Sequence, residues 1–133
     1  MSQEKIQRLR TDLEEFNRTG EIKFDGLAPG FEMRQAASII DTAGVFYGEE
    51  GLRGALSELQ SSFEELSFES ERFFEAPGGE IVAFIRVRGR GLGSGVEIDN
   101  QIAWVWTFRG DQAIRLVVYE EPTDALEAVG LRE

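Results

Sequence analysis

The chain has no cysteine and no histidine among its 133 residues. The first absence excludes disulfides, a thiol nucleophile and a thiolate-held metal. The second removes the commonest general base and transition-metal ligand, which is also the side chain that titrates near neutrality. Acid–base work must fall to Asp, Glu, Tyr or Lys. Basic charge is scarce as well, with 14 Lys and Arg against 25 Asp and Glu, a net charge of -11. Such a field repels a phosphate backbone, so no nucleic-acid partner is expected. No apolar run is long enough to cross a bilayer, and the start, MSQEKIQRLRTDLEEF, has no apolar core of the secretory-signal kind. The expectation is a cytoplasmic protein with no membrane partner, no metal and no cofactor.

What is present suits a globular chain, 41% apolar and 11% aromatic. A chain of this length fits one domain over 1–133, burying roughly 65 to 70% of the surface its unfolded form exposes. Ile6, Leu9, Leu13 and Phe16 are spaced by threes and fours and predict an amphipathic helix over 3–17, with Gly20 as its stop. Leu52, Leu56, Leu59, Phe63 and Leu66 predict a second helix from about Glu49 to Glu65, its leucines read as core. Phe31 to Ala37 reads as a short strand, 41–44 as a loop, and 67–75 alternates only in part.

Three long strands follow, at 79–91, 94–110 and 112–121, and a short helix starts after Pro122 and ends at Gly130. The second of them would extend roughly 50 Å at about 3.3 Å per residue, which calls for a bulge or a sharp bend. Three tempting motifs have plain explanations. Gly89 to Gly95 leads from strand to strand, so it is a hairpin connection and not a phosphate loop, which must open a helix. Arg109-Gly110-Asp111 is a tight turn. The sequon Asn17-Arg18-Thr19 is idle without a secretory signal.

Helices first and a meander last imply a curved sheet wrapped around helices. The segments Phe16-Asn17-Arg18-Thr19-Gly20-Glu21, Phe31-Glu32-Met33-Arg34, Gly44-Val45-Phe46-Tyr47-Gly48-Glu49-Glu50-Gly51-Leu52-Arg53, Arg88-Gly89-Arg90-Gly91 with Ser94-Gly95-Val96-Glu97, and Tyr119-Glu120 with Ala125-Leu126-Glu127-Ala128 carry a more specific signal. In that order and spacing the chain resembles, over nearly its whole length, SnoaL-like proteins of the nuclear transport factor 2-like (NTF2-like) superfamily. The resemblance implies an α+β fold, an NTF2-like cone in which N-terminal helices pack on a strongly curved antiparallel sheet and enclose a pocket. Relatives include polyketide cyclases, ketosteroid isomerases and limonene epoxide hydrolases beside members without known activity, so fold transfers better than function. It also implies a homodimer through the outer sheet face, for which Ala83, Ile85, Val87, Ala103, Val105 and Val117 are the apolar candidates.

Matching the strand at 79–91 to epoxide hydrolase-like members sets Arg86 and Arg88 at catalytic positions, so the even-numbered face is expected to line the cavity, with Phe84 beside them. The same parity assigns Asn100, Ile102, Trp104 and Trp106 from the next strand and Leu116 and Val118 from the last. Gln35 and Tyr47 complete the expected pocket. The departures weigh against borrowing a reaction. Trp104 stands where ketosteroid isomerase-like members hold a protonated Asp, Gln35 where they hold the base, and Val118 where epoxide hydrolases hold an essential Asp. As candidate catalytic residues there remain Arg86, Asp41 and Glu120. Arg86 either pairs with an acid such as Glu120 or Glu32 or meets a ligand, Asp41 is a base or a solvated turn residue, and the tryptophans are core filling or a ligand platform. The expectation is a pocket protein for a small hydrophobic molecule bearing a carbonyl or an anion. The alternatives are a cyclase, isomerase or hydrolase using carboxylates, and a non-catalytic dimerisation module.

Overall fold

The computed structural model describes residues 2–21, 26–35 and 45–131. The first apolar face folds as helix α1 (Ser2–Thr19), burying Leu13 and Phe16. It stops where Gly20, at φ 78°, donates its N–H to the Phe16 carbonyl at 2.7 Å, a conformation that suits a residue without Cβ. No helix among the described residues is long and apolar enough to cross a membrane.

Six strands form one curved, unclosed sheet. They are β1 (Leu27–Gln35), β2 (Val45–Tyr47), β3 (Phe63–Glu75), β4 (Ile81–Gly91), β5 (Glu97–Arg109) and β6 (Gln112–Tyr119), in the spatial order β2-β1-β6-β5-β4-β3. The last three strands make the expected meander, and β3 joins it as a fourth strand at the edge. Gly110, at φ 62°, closes a two-residue turn that sets Arg109 opposite Gln112, the conformation a tight hairpin demands. The sheet is not wholly antiparallel, because β1 pairs with β6 in parallel and seats Met33 beside Leu116. These strands lie at opposite ends of the chain, so no hairpin dictates their direction.

Helix α2 (Gly48–Ser62) stops before the spacing of its apolar residues does. Phe63 turns extended, at φ -135° and ψ 140°, and pairs with Gly91. Here strand pairing outweighs the helical periodicity that reaches Phe63 and Leu66. The partly alternating stretch at 67–75 is therefore the greater part of a 13-residue edge strand. Its pattern is broken by register shifts between Glu64 and Ser67 and between Ser70 and Arg72, since each extra residue swaps the face that follows. The bulge expected in the second long strand leaves its pairing with β4 untouched and falls instead against β6, between Thr107 and Phe108.

Both faces of the sheet are covered. On the inner face Ala83 and Ile85 pack with Leu13, Phe16 and Phe68, while Phe31, Met33, Trp106 and Leu116 pack with Ala55. On the outer face Val82, Phe84, Ala103 and Val105 lie under Ala125 and Leu126 of helix α3 (Pro122–Ala128), with Val117 beside them. This reassigns the residues named for a dimer plate. Ala83, Ile85 and Val87 belong to the inner cluster, and Ala103, Val105 and Val117 pack in the α3 cluster of their own chain.

Beyond α3 the outer face is ionic. Arg90 pairs with Glu64 and Glu65, each at 3.2 Å, and Arg115 Nε donates to Glu32 Oε1 at 2.8 Å. Solvent-screened pairs of this kind each add little to stability. Glu32 is held below its ordinary pKa of 4.5, chiefly by hydrogen bonds from Arg115 and then Arg34. A carboxylate with a lowered folded pKa contributes stability above its unfolded value and loses it as pH falls through the folded one. The variant Glu32→Gln should therefore melt below the wild type at neutral pH, with the gap closing as the solution is acidified below 4.5. Thermal melts at a series of pH values check it, and a gap that widens in acid would refute it.

The idle sequon has a structural use. Asn17 Nδ2 donates to the Phe68 carbonyl at 2.7 Å and its Oδ1 accepts from the Phe68 N–H at 2.9 Å, so one amide stitches α1 to β3. Asn17→Ala leaves both backbone groups without that partner and should cost about 2 kcal/mol. Urea denaturation is the measurement, and a loss below about 0.5 kcal/mol would show that water replaces the amide without penalty.

Candidate functional site

Between the helices and the inner face lies an apolar cavity of about 120 Å³. The sheet supplies Met33 from β1, Phe68 from β3, Ile102, Trp104 and Trp106 from β5, and Leu116 and Val118 from β6. The helices close it with Leu13 and Phe16 of α1 and Leu52, Ala55, Leu56 and Leu59 of α2. Leu59 lines the cavity and is also 41% exposed, so it marks where the interior meets solvent. Among the described residues the lining contains no Asp, Glu, Lys, Arg or Tyr.

Four aromatic rings of this wall stack in series, and Phe31 extends the series behind it. Phe16 lies 5.3 Å from Phe68 between ring centroids, Phe68 lies 5.6 Å from Trp104, Trp104 stands edge-on to Trp106 at 6.4 Å, and Trp106 meets Phe31 at 6.2 Å. These separations suit tilted and edge-to-face packing. Trp106 is 8% exposed, and its buried Nε1 has no acceptor among the described residues.

The expected pocket residues divide by strand. Ile102, Trp104, Trp106, Leu116 and Val118 are brought together in the wall. Phe84, Arg86 and Arg88 are not, because β4 pairs with β5 so that Ala83 faces Trp104 and Arg86 faces Gln101. Directly opposed residues share a face, so it is the odd-numbered side of β4 that turns inward. Phe84 packs against Phe74 at 5.0 Å on the outer side, near α3. Arg86 bridges Glu71 and Asp99, each at 3.4 Å, and Arg88 reaches Glu69 at 3.3 Å and Asp99 at 3.5 Å. Arg86 does pair internally, but with neither Glu120 nor Glu32.

Asn100 is exposed towards the start of β5, outside the lining. Tyr47 sits opposite Glu32 on the edge strand and is 64% exposed. Glu120 is exposed just beyond β6. Gln35 holds the register position beside Val118, and Asp41 lies outside the described residues. The three candidate catalytic residues are thus not gathered at the cavity by the described part of the chain.

The larger part of the lining, which strand parity missed, comes from the helices, from Met33 and from Phe68. Helical spacing does single out Leu52, Leu56 and Leu59 as one apolar face, but periodicity cannot tell a packed core from the wall of a cavity. The signal that separates them is volume across the interior, which needs the register of every strand.

Neither a protein-family model nor a curated protein sequence matches the chain. Solved structures do. A protein of ketosteroid isomerase-like fold from Catenulispora acidiphila DSM 44928, in complex with trimethylamine, is 15% identical with a TM-score of 0.62 over 80% of this chain and 78% of that one. An NTF2-like protein of unknown function from Burkholderia pseudomallei K96243 is 18% identical with a TM-score of 0.70, covering 94% and 96%. A putative SnoaL-like polyketide cyclase from Jannaschia sp. CCS1 is 18% identical with a TM-score of 0.65, covering 98% and 92%. The chain has the NTF2-like, ketosteroid isomerase-like fold, and NTF2-like and SnoaL-like proteins are its structural neighbours.

Proposed function

We propose that this protein is a pocket protein that holds a small, uncharged, largely apolar molecule between its helices and the inner sheet face. The observation that carries the reading is the lining itself, built from aliphatic and aromatic side chains of six elements and no charged group among the described residues. An anion is disfavoured, since the arginines that would attract one are paired on the other side of the sheet and the chain carries a net charge of -11. Catalysis by carboxylates needs an acid or base within hydrogen-bond reach of the ligand, and the described wall offers none. One similar structure holds trimethylamine, a small organic ligand in the same class of fold.

Size decides the kind of molecule. Engineered apolar cavities of about 150 Å³ stay dry and bind benzene, so a cavity of about 120 Å³ suits a ligand near the size of one six-membered ring. A fitting ligand gains packing against this wall.

Toluene in the millimolar range should raise the melting temperature of the wild type by several degrees, since binding to the folded state alone stabilises it by mass action. Ala55→Leu adds carbon at a buried position of the lining. That variant should fold with similar stability and lose most of the toluene-dependent shift. Differential scanning fluorimetry makes the comparison, and a wild type indifferent to toluene would sink the proposal.

A further inference from the structure

Strand β3 borders the sheet, with β4 on one side and no strand on the other among the described residues. The ladder fixes which of its residues turn their backbone outward. Gly91 donates to the Val96 carbonyl at 2.7 Å, and β4 pairs with β5 without a register shift, so the odd-numbered residues of β4 bond to β5. The β3 residues opposite them direct N–H and C=O away from β4; they include Phe68, Ser70, Phe73 and Glu75. Asn17 shows the same parity independently. Its side-chain amide takes both backbone groups of Phe68, at 2.7 and 2.9 Å, as a further strand would. Past that point the edge is open, and the outward groups of Ser70 and Phe73 meet no partner among the described residues.

Beside the open edge lies a polar cleft of about 380 Å³, with Gln3, Gln7 and Arg10 of α1 on one side and Glu71 and Phe73 of β3 on the other. Glu71 is already engaged, accepting from Arg86 Nε at 3.4 Å and from Gln101 Nε2 at 3.0 Å. Arg10 is exposed, its guanidinium carbon stands 5.1 Å from the centre of the Phe73 ring, and it meets no carboxylate among the described residues. A guanidinium over a ring keeps its in-plane N–H groups available for a carboxylate.

We propose that this edge is a docking site for an extended peptide segment of another protein that carries one acidic residue. The segment adds a short strand to β3 at Ser70 and Phe73, and its carboxylate pairs with Arg10. Main-chain bonds to the edge supply affinity, and the side-chain pair supplies selectivity. The register shift between Ser70 and Arg72 breaks the flat run that a second sheet would need, so the edge suits a short segment better than a second copy of this chain. The net charge of -11 penalises a polyacidic segment, which leaves a single acid among neutral residues. The cleft shares no residue with the apolar cavity, so the proposal stands apart from the pocket-binding reading.

The probes are the capped pentapeptide Thr-Val-Glu-Val-Thr, the same peptide with Gln in place of its Glu, and a version of the first N-methylated at every backbone nitrogen. Each is titrated at millimolar concentration into isotope-labelled wild type and Arg10→Gln, followed by amide NMR. The Glu peptide should move the Ser70 and Phe73 amide signals. Its affinity should fall about fivefold in Arg10→Gln, and about as much when Gln replaces its Glu, the size of a partly exposed ion pair. The two changes together should cost no more than either alone, and N-methylation should abolish binding. Arg10 is exposed, so the variant keeps the fold, which its unchanged signals outside the cleft verify. Ser70 and Phe73 signals that stay still, or shifts confined to another surface, would overturn the proposal. Equal affinities for the Glu and Gln peptides, or undiminished binding of the N-methylated one, would overturn it as well.

Discussion

The antiparallel pairing of β4 with β5 sets Ala83 opposite Trp104 and Arg86 opposite Gln101. Opposed residues share a face, so this register sends the tryptophans inward with alanine and isoleucine and sends the arginines outward among acids. Slipped by one residue, the same strands would put Arg86 and Arg88 beside the indoles, where two guanidinium groups would need partners in a hydrocarbon setting. The turn carries part of this specification. Gly91 donates to the Val96 carbonyl at 2.7 Å and Gly95 to the Gly91 carbonyl at 2.9 Å, closing a short loop in register with the ladder beyond it.

With that register in place the other layers follow. Outside, the apolar patch of β4 and β5 is capped by Ala125 and Leu126 of α3, and the remaining surface is occupied by arginine–carboxylate pairs. Inside, α1 is pinned to β3 through the Asn17 amide, and α2 leans its leucine face over the sheet. Large rings on one side and branched aliphatics on the other do not meet completely, and the space left between them is the cavity. The division of charge is what makes that cavity a place for neutral molecules: every arginine on β4 has found an acid on the outer face.

Much of this was legible in the sequence. The helix through Phe16, the three long strands, the closing helix at Pro122 and the fold itself follow from periodicity, turn residues and the family resemblance, and strand parity alone named Trp104, Trp106, Leu116 and Val118 as wall. The side of β4 was not legible. Its even face holds Val82 and Phe84 and its odd face Ile81 and Ile85, so both read as apolar, and the glycine-rich segment at 89–95 permits loops of either parity. Only the hydrogen-bonded ladder chooses between them. The strand β3 escaped for a related reason, because two register shifts and a positive φ of 55° at Glu65 scramble the alternation that marks a strand. Tyr47 illustrates the limit for single residues, since a tyrosine beside a glycine reads equally as a cavity cap or as surface.

The absence of native cysteine makes the register directly measurable. Single cysteines placed at Arg88 and at Ile102, each in an otherwise unchanged chain, can be timed against a bulky water-soluble maleimide under native conditions. The account predicts that the cysteine at position 88, on the outer face, reacts nearly as fast as in the unfolded chain, whereas the one at position 102, inside the cavity wall, reacts far more slowly. Protection at position 88 with rapid labelling at position 102 would mean that β4 and β5 are paired with the opposite faces inward, and the neutral cavity described here would not exist.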